Sequence, residues 1–253
     1  MTYVVGVIPA RYGSQRLPAK PLIDLLGKTM VQRVYEQSKR ATKLDRLIVA
    51  TDDVRIEAAV KAFGGEVIMT SPTLKSGSDR VATVAAETRG DVFVNIQGDE
   101  PLIAPQMIDQ AVELLLTDNQ AAVGTLAKKI DSTVELISES VVKVVIDANG
   151  RGLYFSRSVI PHIRDEVDAS RWLQHHTFYK HIGLYVFRKE ILKKYSLWDE
   201  TALEKAEKLE QLRFLEHGVG ISVGITSFDS IPIDTRADVE RVLTILKKQH
   251  SQT

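Results

Sequence analysis

Residues 4–24 read VVGVIPARYGSQRLPAKPLID, and the change of character inside this stretch decides what fold the chain can have. Val4 to Ile8 is an apolar run of strand length, and it opens into a segment carrying Arg11, Arg16 and Lys20 with no acidic residue before Asp24. A continuous apolar run bounded by turn formers reads as a strand buried on both faces, the habit of parallel sheets covered by helices. Positive charge gathered where such a strand ends suits an anion.

The same alternation continues outward. Met30, Val31, Val34, Tyr35 and Ser38 recur at helical spacing, and Leu47 to Ala50 reads as a second strand. Ile56, Ala59, Val60 and Phe63 mark a helix that Gly64 and Gly65 end, before a short strand from Glu66 to Met69. A helix from about Asp79 to Thr88 leads to the β-rich run Val92 to Ile96. Strand–helix alternation of this kind predicts an α/β fold, a doubly wound, mostly parallel sheet of Rossmann-like type. Such sheets bind ligands outside the carboxyl ends of their strands, where both the basic loop after Ile8 and the segment QGDEP (97–101) fall.

The second half is less regular. Strands are expected at Val141 to Ile146, Leu184 to Phe187 and Ile221 to Ile225, with helices at about Glu204 to His217 and Arg236 to Lys248. Between Pro161 and Lys180 lies a polar stretch without clear period, of the length that often serves as a lid or interface element. The expected organisation is one domain over 1–253, with a β-rich insertion over about 141–187.

Composition narrows the function. The 253 residues contain 33 lysines and arginines against 33 aspartates and glutamates, so the net charge gives no support to a global grip on nucleic acid or an anionic membrane, and any anion site is local. With no cysteine there is no disulfide, no cysteine-ligated zinc and no thiol nucleophile. No run approaches the roughly 20 apolar residues of a membrane span, and no signal peptide is evident, so a soluble cytoplasmic protein without membrane insertion is expected.

In the opening loop Arg11, Ser14, Arg16 and Lys20 sit among Gly13, Pro18 and Pro21, a composition for an ordered nonhelical turn that offers side chains and N–H groups to a phosphate chain. Arginine supplies a planar fork and lysine a compact point charge. Downstream, Gly27, Lys28 and Thr29 imitate the end of a P-loop, but Leu22 stands where that pattern needs glycine, so Gly27 reads as a turn glycine before a helix. A dinucleotide fold would place GxGxxG after the first strand, and PARYGS has one glycine. Asp52 and Asp53 at the end of the second strand read as caps of the following helix.

IPARYGSQRLPAKPL and NIQGDEPLI resemble the 3-deoxy-manno-octulosonate cytidylyltransferase family, the CMP-Kdo synthetases of Gram-negative bacteria. YFSRSVIPHIRD, KHIGLYVFRKE, EKLEQLRFLEHG and IDTRADVERV continue the resemblance in the family's order, over essentially the whole chain. It implies the nucleotide-diphospho-sugar transferase type of sheet, CTP and Kdo as substrates, Mg2+ as cofactor and a homodimer, with 141–187 serving dimerisation and sugar binding. By resemblance, Arg11, Ser14, Arg16 and Lys20 wrap the triphosphate, and Arg80 and Gln97 contact the nucleotide. Asp99 and Asp234 share the metal, and Lys20, Arg16, Asp99 and Asp234 carry the chemistry. Arg157, His181, Tyr185, Glu210 and Gln211 match positions lining the sugar pocket. Locally, Asp99 could equally be a turn aspartate and Asp234 a helix cap. The rival readings are a cytidylyltransferase for 8-amino-Kdo or sialic acid, and a noncatalytic nucleotide-binding protein. The sialic acid enzymes differ in carrying a lysine-asparagine pair where this chain reads AKPLIDLLGKT.

Overall fold

The structure, a computed structural model, describes residues 2–13, 17–74, 76–229 and 231–250, the last without its side chain. The chain packs as two compact units, residues 1–109 with 229–253 and residues 110–228. The sequence reading draws its boundaries differently, as one domain with a subregion over about 141–187; that stretch lies wholly inside the second unit.

The first unit begins with β1 (Val4–Ala10), nearly all of whose residues are buried, as expected for a strand covered on both faces. Then follow α1 (Met30–Ser38), β2 (Arg46–Thr51), α2 (Val54–Ala62), β3 (Glu66–Met69), α3 (Gly77–Glu87) and β4 (Val92–Asn95). The apolar positions expected for α1, Met30, Val31, Val34 and Tyr35, are all buried. Thr29 caps that helix through the backbone N–H of Gln32, and Gly27 before it has φ 78°, as its reading as a turn glycine requires. α3 starts two residues earlier than the expected Asp79, because Ser76 and Asp79 form a reciprocal capping box. β1 pairs parallel with β2 and with β4, and β2 parallel with β3, giving the order β3-β2-β1-β4. The chain thus winds from β1 outward to β3 and returns to the other side of β1, which makes the gap between β1 and β4 a topological switch point.

Across the boundary runs α4 (Pro105–Thr117), and the second unit continues with β5 (Val123–Lys129), α5 (Thr133–Ile137), β6 (Lys143–Ile146), β7 (Gly152–Ser156), α6 (Trp172–His175), β8 (Tyr179–Arg188), α7 (Lys189–Tyr195), α8 (Ala202–Glu207), α9 (Gln211–Glu216) and β9 (Ile221–Ile225). Its strands are mixed in direction: β5 is parallel to β9 and antiparallel to β8, and β6 is antiparallel to both β7 and β8. β5, β7 and the first half of β8 are strands that the sequence reading lacks, because lysines and tyrosines interrupt the apolar pattern there. The single helix expected at about 204–217 is two helices. Lys208 between them takes a left-handed conformation, φ 55° and ψ 46°, which no α-helix accommodates. The aperiodic stretch after Pro161 is anchored by Trp172 and Phe178, buried with Ile130 and Leu136. The chain then returns to the first unit, where α10 (Arg236–His250) packs Val242 and Leu246 onto Leu17, Leu25 and Met30.

Candidate active site

At the carboxyl edge of the first unit, three segments converge: the end of β1 with Arg11, the turn 97–99 after β4, and the first turn of α3 with Gly77 and Arg80. They line a cavity of about 530 Å³ together with Lys20, Pro21 and Asp234. Gly98 permits this close approach, since a Cβ there would lie 2.5 Å from the Pro9 carbonyl oxygen.

Lys20 opens a short 3-10 turn, Lys20–Leu22, behind Ala19, which has φ 56°. Its Nζ donates to Asp99 Oδ2 at 2.7 Å and to Asp234 Oδ1 at 2.9 Å. The Lys20 side chain is 12% exposed and the two aspartates 30% and 39%, so the ammonium lies beneath its carboxylate partners. The two aspartates are also fixed through the backbone. Ile233 N donates to the Asp99 carbonyl at 2.9 Å, and Asp234 N donates to Asp238 Oδ2 at 3.1 Å. The ordinary alternative for Asp234, capping the last helix, is met by its neighbours. Thr235 Oγ1 accepts from Asp238 N, Asp238 Oδ2 accepts from Thr235 N, and the Asp234 carboxylate turns to Lys20.

Two carboxylates reaching one cationic centre are hard oxygen donors, in the number magnesium usually takes from a protein that leaves it substrate phosphates as further ligands. The donor set therefore fits the expected Mg2+. Among the described residues no group of three or more His, Cys, Asp or Glu side chains could hold a metal ion as an all-protein cage.

Arg80 is buried, and its guanidinium donates to Asp52 Oδ2 at 2.6 Å and to Thr70 Oγ1 at 2.6 Å. This corrects the reading of Asp52 as a helix cap. Asp53 alone caps α2, accepting from Arg55 N at 2.9 Å, and the Arg55 guanidinium bound to it pulls its carboxyl down to about 2. Arg55 also lies over the Tyr12 ring, 3.3 Å from its centroid, at the start of the basic loop. The signal for Asp52 was a carboxylate at the carboxyl end of a strand flanking the site. Its buried arginine partner lies 28 positions away, beyond any local pattern. Arg11 is exposed and Gln97 half-buried at the cavity. Ser14 and Arg16 lie outside the described residues.

The expected sugar-binding positions all fall in the second unit. His181 and Tyr185 share β8, their rings 5.2 Å apart, and Phe155 meets the His181 ring edge-on at 5.1 Å. Burial drives the His181 ring down to about 3, and it hydrogen-bonds Thr125 Oγ1 at 3.0 Å. Tyr185 is buried, and burial, together with the nearby Glu210 charge, pushes its hydroxyl upward. Glu210 immediately precedes α9 and is half-buried, and Leu209 and Leu212 beside it are buried, as their helical spacing predicts. Gln211 is buried, and its amide nitrogen has no hydrogen-bond partner among the described residues, a donor left for something else. Arg157 is held by the carbonyls of Glu207 at 2.8 Å and Glu139 at 3.0 Å. Lys143 stands beneath it, fully buried, with Nζ on the carbonyls of Ser138, Val141 and Arg157 at 2.9, 2.7 and 2.5 Å.

The family described as Cytidylyltransferase matches residues 5–222. The 3-deoxy-manno-octulosonate cytidylyltransferases of Geotalea uraniireducens and Parabacteroides distasonis are each 49% identical to this chain over 252 residues, covering 97% of it and 99% of the relative. That of Bacteroides thetaiotaomicron is 50% identical over 250 residues, covering 97% and 98%. Among solved structures, a CMP:2-keto-3-deoxy-manno-octonic acid synthetase complexed with CTP superposes with a TM-score of 0.91 at 40% identity, covering 98% of this chain and 100% of that one. A 4-diphosphocytidyl-2C-methyl-D-erythritol synthase from Anaerococcus prevotii, at a TM-score of 0.64 and 15% identity, shares the fold.

Proposed function

The chain belongs to the cytidylyltransferase family, and from that premise we propose that it transfers CMP from CTP to the anomeric hydroxyl of 3-deoxy-D-manno-octulosonate, releasing pyrophosphate. The C2 hydroxyl oxygen attacks the α-phosphorus in line, the bond from that phosphorus to the bridging oxygen of pyrophosphate breaks, and the hydroxyl proton passes to solvent. What carries the reading is near-full-length identity of about half the residues with enzymes named for this reaction. The convergence of Lys20, Asp99 and Asp234 on one cavity supports it.

Each side chain then has a task. Arg11 and Lys20, with Arg16 of the same loop, receive the triphosphate and stabilise the charge that grows on departing pyrophosphate. Arg80, locked by Asp52, and Gln97 hold the nucleotide. Asp99 and Asp234 would hold Mg2+. When bound, the ion supplies charge neutralisation of the triphosphate and acidifies the attacking hydroxyl. In the second unit His181, kept neutral at pH 7, and Tyr185, Glu210 and Gln211 offer uncharged donors and one carboxylate to a polyhydroxylated acid, with Arg157 for its carboxylate. The finer parts of the reading are a cytoplasmic homodimer whose product feeds lipopolysaccharide synthesis. No helix among the described residues is long and apolar enough to cross a membrane.

The test is pyrophosphate release from CTP and magnesium with Kdo, 8-amino-Kdo, sialic acid or no sugar, with UTP as the nucleotide control. Release with CTP and Kdo alone is expected. Preference for the amino sugar would keep the mechanism and change the substrate, and silence with every sugar in a folded, CTP-binding protein would overturn the enzyme reading.

A further inference from the structure

We propose that Lys20 occupies the cation position between Asp99 and Asp234 in the nucleotide-free protein, so that a divalent cation enters only together with the triphosphate. The proposal rests on the reading of these two aspartates as metal-binding residues. It adds an order of events and gives Lys20 a role before any substrate is present.

The geometry points to competition for the same oxygens. At 2.7 and 2.9 Å the ammonium makes charge-assisted hydrogen bonds to one oxygen of each carboxylate. A magnesium ion needs oxygen ligands at about 2.0–2.1 Å and surrenders its water shell reluctantly. It would have to displace an ammonium that is already desolvated and is covered by its two partners. Of the three groups, the aspartates are held by backbone ties, Ile233 N to the Asp99 carbonyl and Asp234 N to Asp238, whereas Lys20 reaches them on a flexible four-carbon stem. Lysine is therefore the member able to leave.

Charge balance supplies the trigger. The three groups together carry one net negative charge, too little to draw a divalent ion strongly out of water. A triphosphate in the cavity lined by Arg11, Lys20 and Arg80 gives the ammonium a more highly charged partner. Once Lys20 turns to phosphate, both carboxylates are exposed to the ion that the triphosphate brings with it. Lys20 thus serves first as a placeholder that keeps two like charges together, then as a phosphate ligand, and metal and nucleotide binding become positively coupled.

Mn2+ binding, followed by the paramagnetic enhancement of water-proton relaxation, tests this without turnover. Wild type, Lys20→Met and Lys20→Gln are titrated with and without CTP. Without nucleotide, both variants are expected to bind Mn2+ about tenfold or more tightly than wild type, since two competing charge-assisted contacts are lost and even one is worth about that factor. With CTP present that advantage is expected to vanish. Nucleotide-free variants that bind no more tightly than wild type would overturn the proposal. So would nucleotide-free wild type binding Mn2+ as tightly as it does with CTP, a result that needs no variant to fold. Asp99→Asn and Asp234→Asn separate the two layers. If they abolish CTP-dependent Mn2+ binding while the lysine variants change nothing, the role of Lys20 alone falls. If they leave that binding intact, the metal reading falls and the proposal with it.

Discussion

Asp52 and Asp99 are both carboxylates at the carboxyl edge of the first unit's sheet, and their partners assign them different work. Asp99 is part-exposed at the cavity, bound to the movable Lys20. Asp52 pairs with Arg80, whose side chain is 4% exposed. Asp99→Asn keeps the shape and removes the charge a cation needs, so turnover is expected to fall by about a hundredfold or more while stability moves by less than about 1 kcal/mol. Steady-state rates beside urea melts decide it, and near wild-type turnover in the folded variant would sink the metal assignment. Asp52→Ala strands a buried guanidinium, and a stability loss of about 3 kcal/mol is expected, read from the same melts. Both aspartates stood out in the sequence, which reads Asp52 as structural and Asp99 as a metal residue by resemblance, but it makes Asp52 a helix cap where the structure pairs it with Arg80. Nothing within a few residues of Asp52 marks a buried arginine 28 positions on.

Element by element, periodicity was legible wherever a helix or strand is covered on a regular face. It failed where a polar or strained residue sits inside the pattern. α1 follows its apolar spacing, and β1 and β4 their continuous runs, because each is packed as its period requires. α8 and α9 looked continuous because no glycine or proline interrupts residues 204–217, EKAEKLEQLRFLEH. Only φ at Lys208 shows that the backbone reverses hand there. A non-glycine residue in that region carries a steric cost of about 1 kcal/mol. Lys208→Gly is therefore expected to stabilise the second unit by roughly 0.5–1 kcal/mol, the relief being offset in part by added entropy of the unfolded chain. A lower urea midpoint for the glycine variant would contradict it.

For the whole molecule, both tryptophans, Trp172 and Trp198, lie in the second unit, so indole fluorescence follows that unit's unfolding. His181 lies there too, held neutral by burial with its ring lowered from 6.5 to about 3. The unfolded chain takes up the proton below about 6.5 and the folded chain does not until about 3, so the stability present above 6.5 drains away as pH falls between those values. From pH 7 to pH 5 this one ring should remove about 2 kcal/mol from the fluorescence-monitored melt, and His181→Gln should remove less with the same acidification. An equal loss in both proteins would show that the ring titrates normally. The sequence by itself determined the parallel α/β order of the first unit, the strand ends at which the candidate site lies, and the family, since these follow from backbone periods and short motifs read within a few residues. Only the tertiary structure decided that Lys20 meets partners 79 and 214 positions away, because that meeting depends on the strand order that sets β4 beside β1 and on the chain's return through Ile233 to the Asp99 turn. Contacts of such range are fixed by which elements pack together, and no local pattern encodes them.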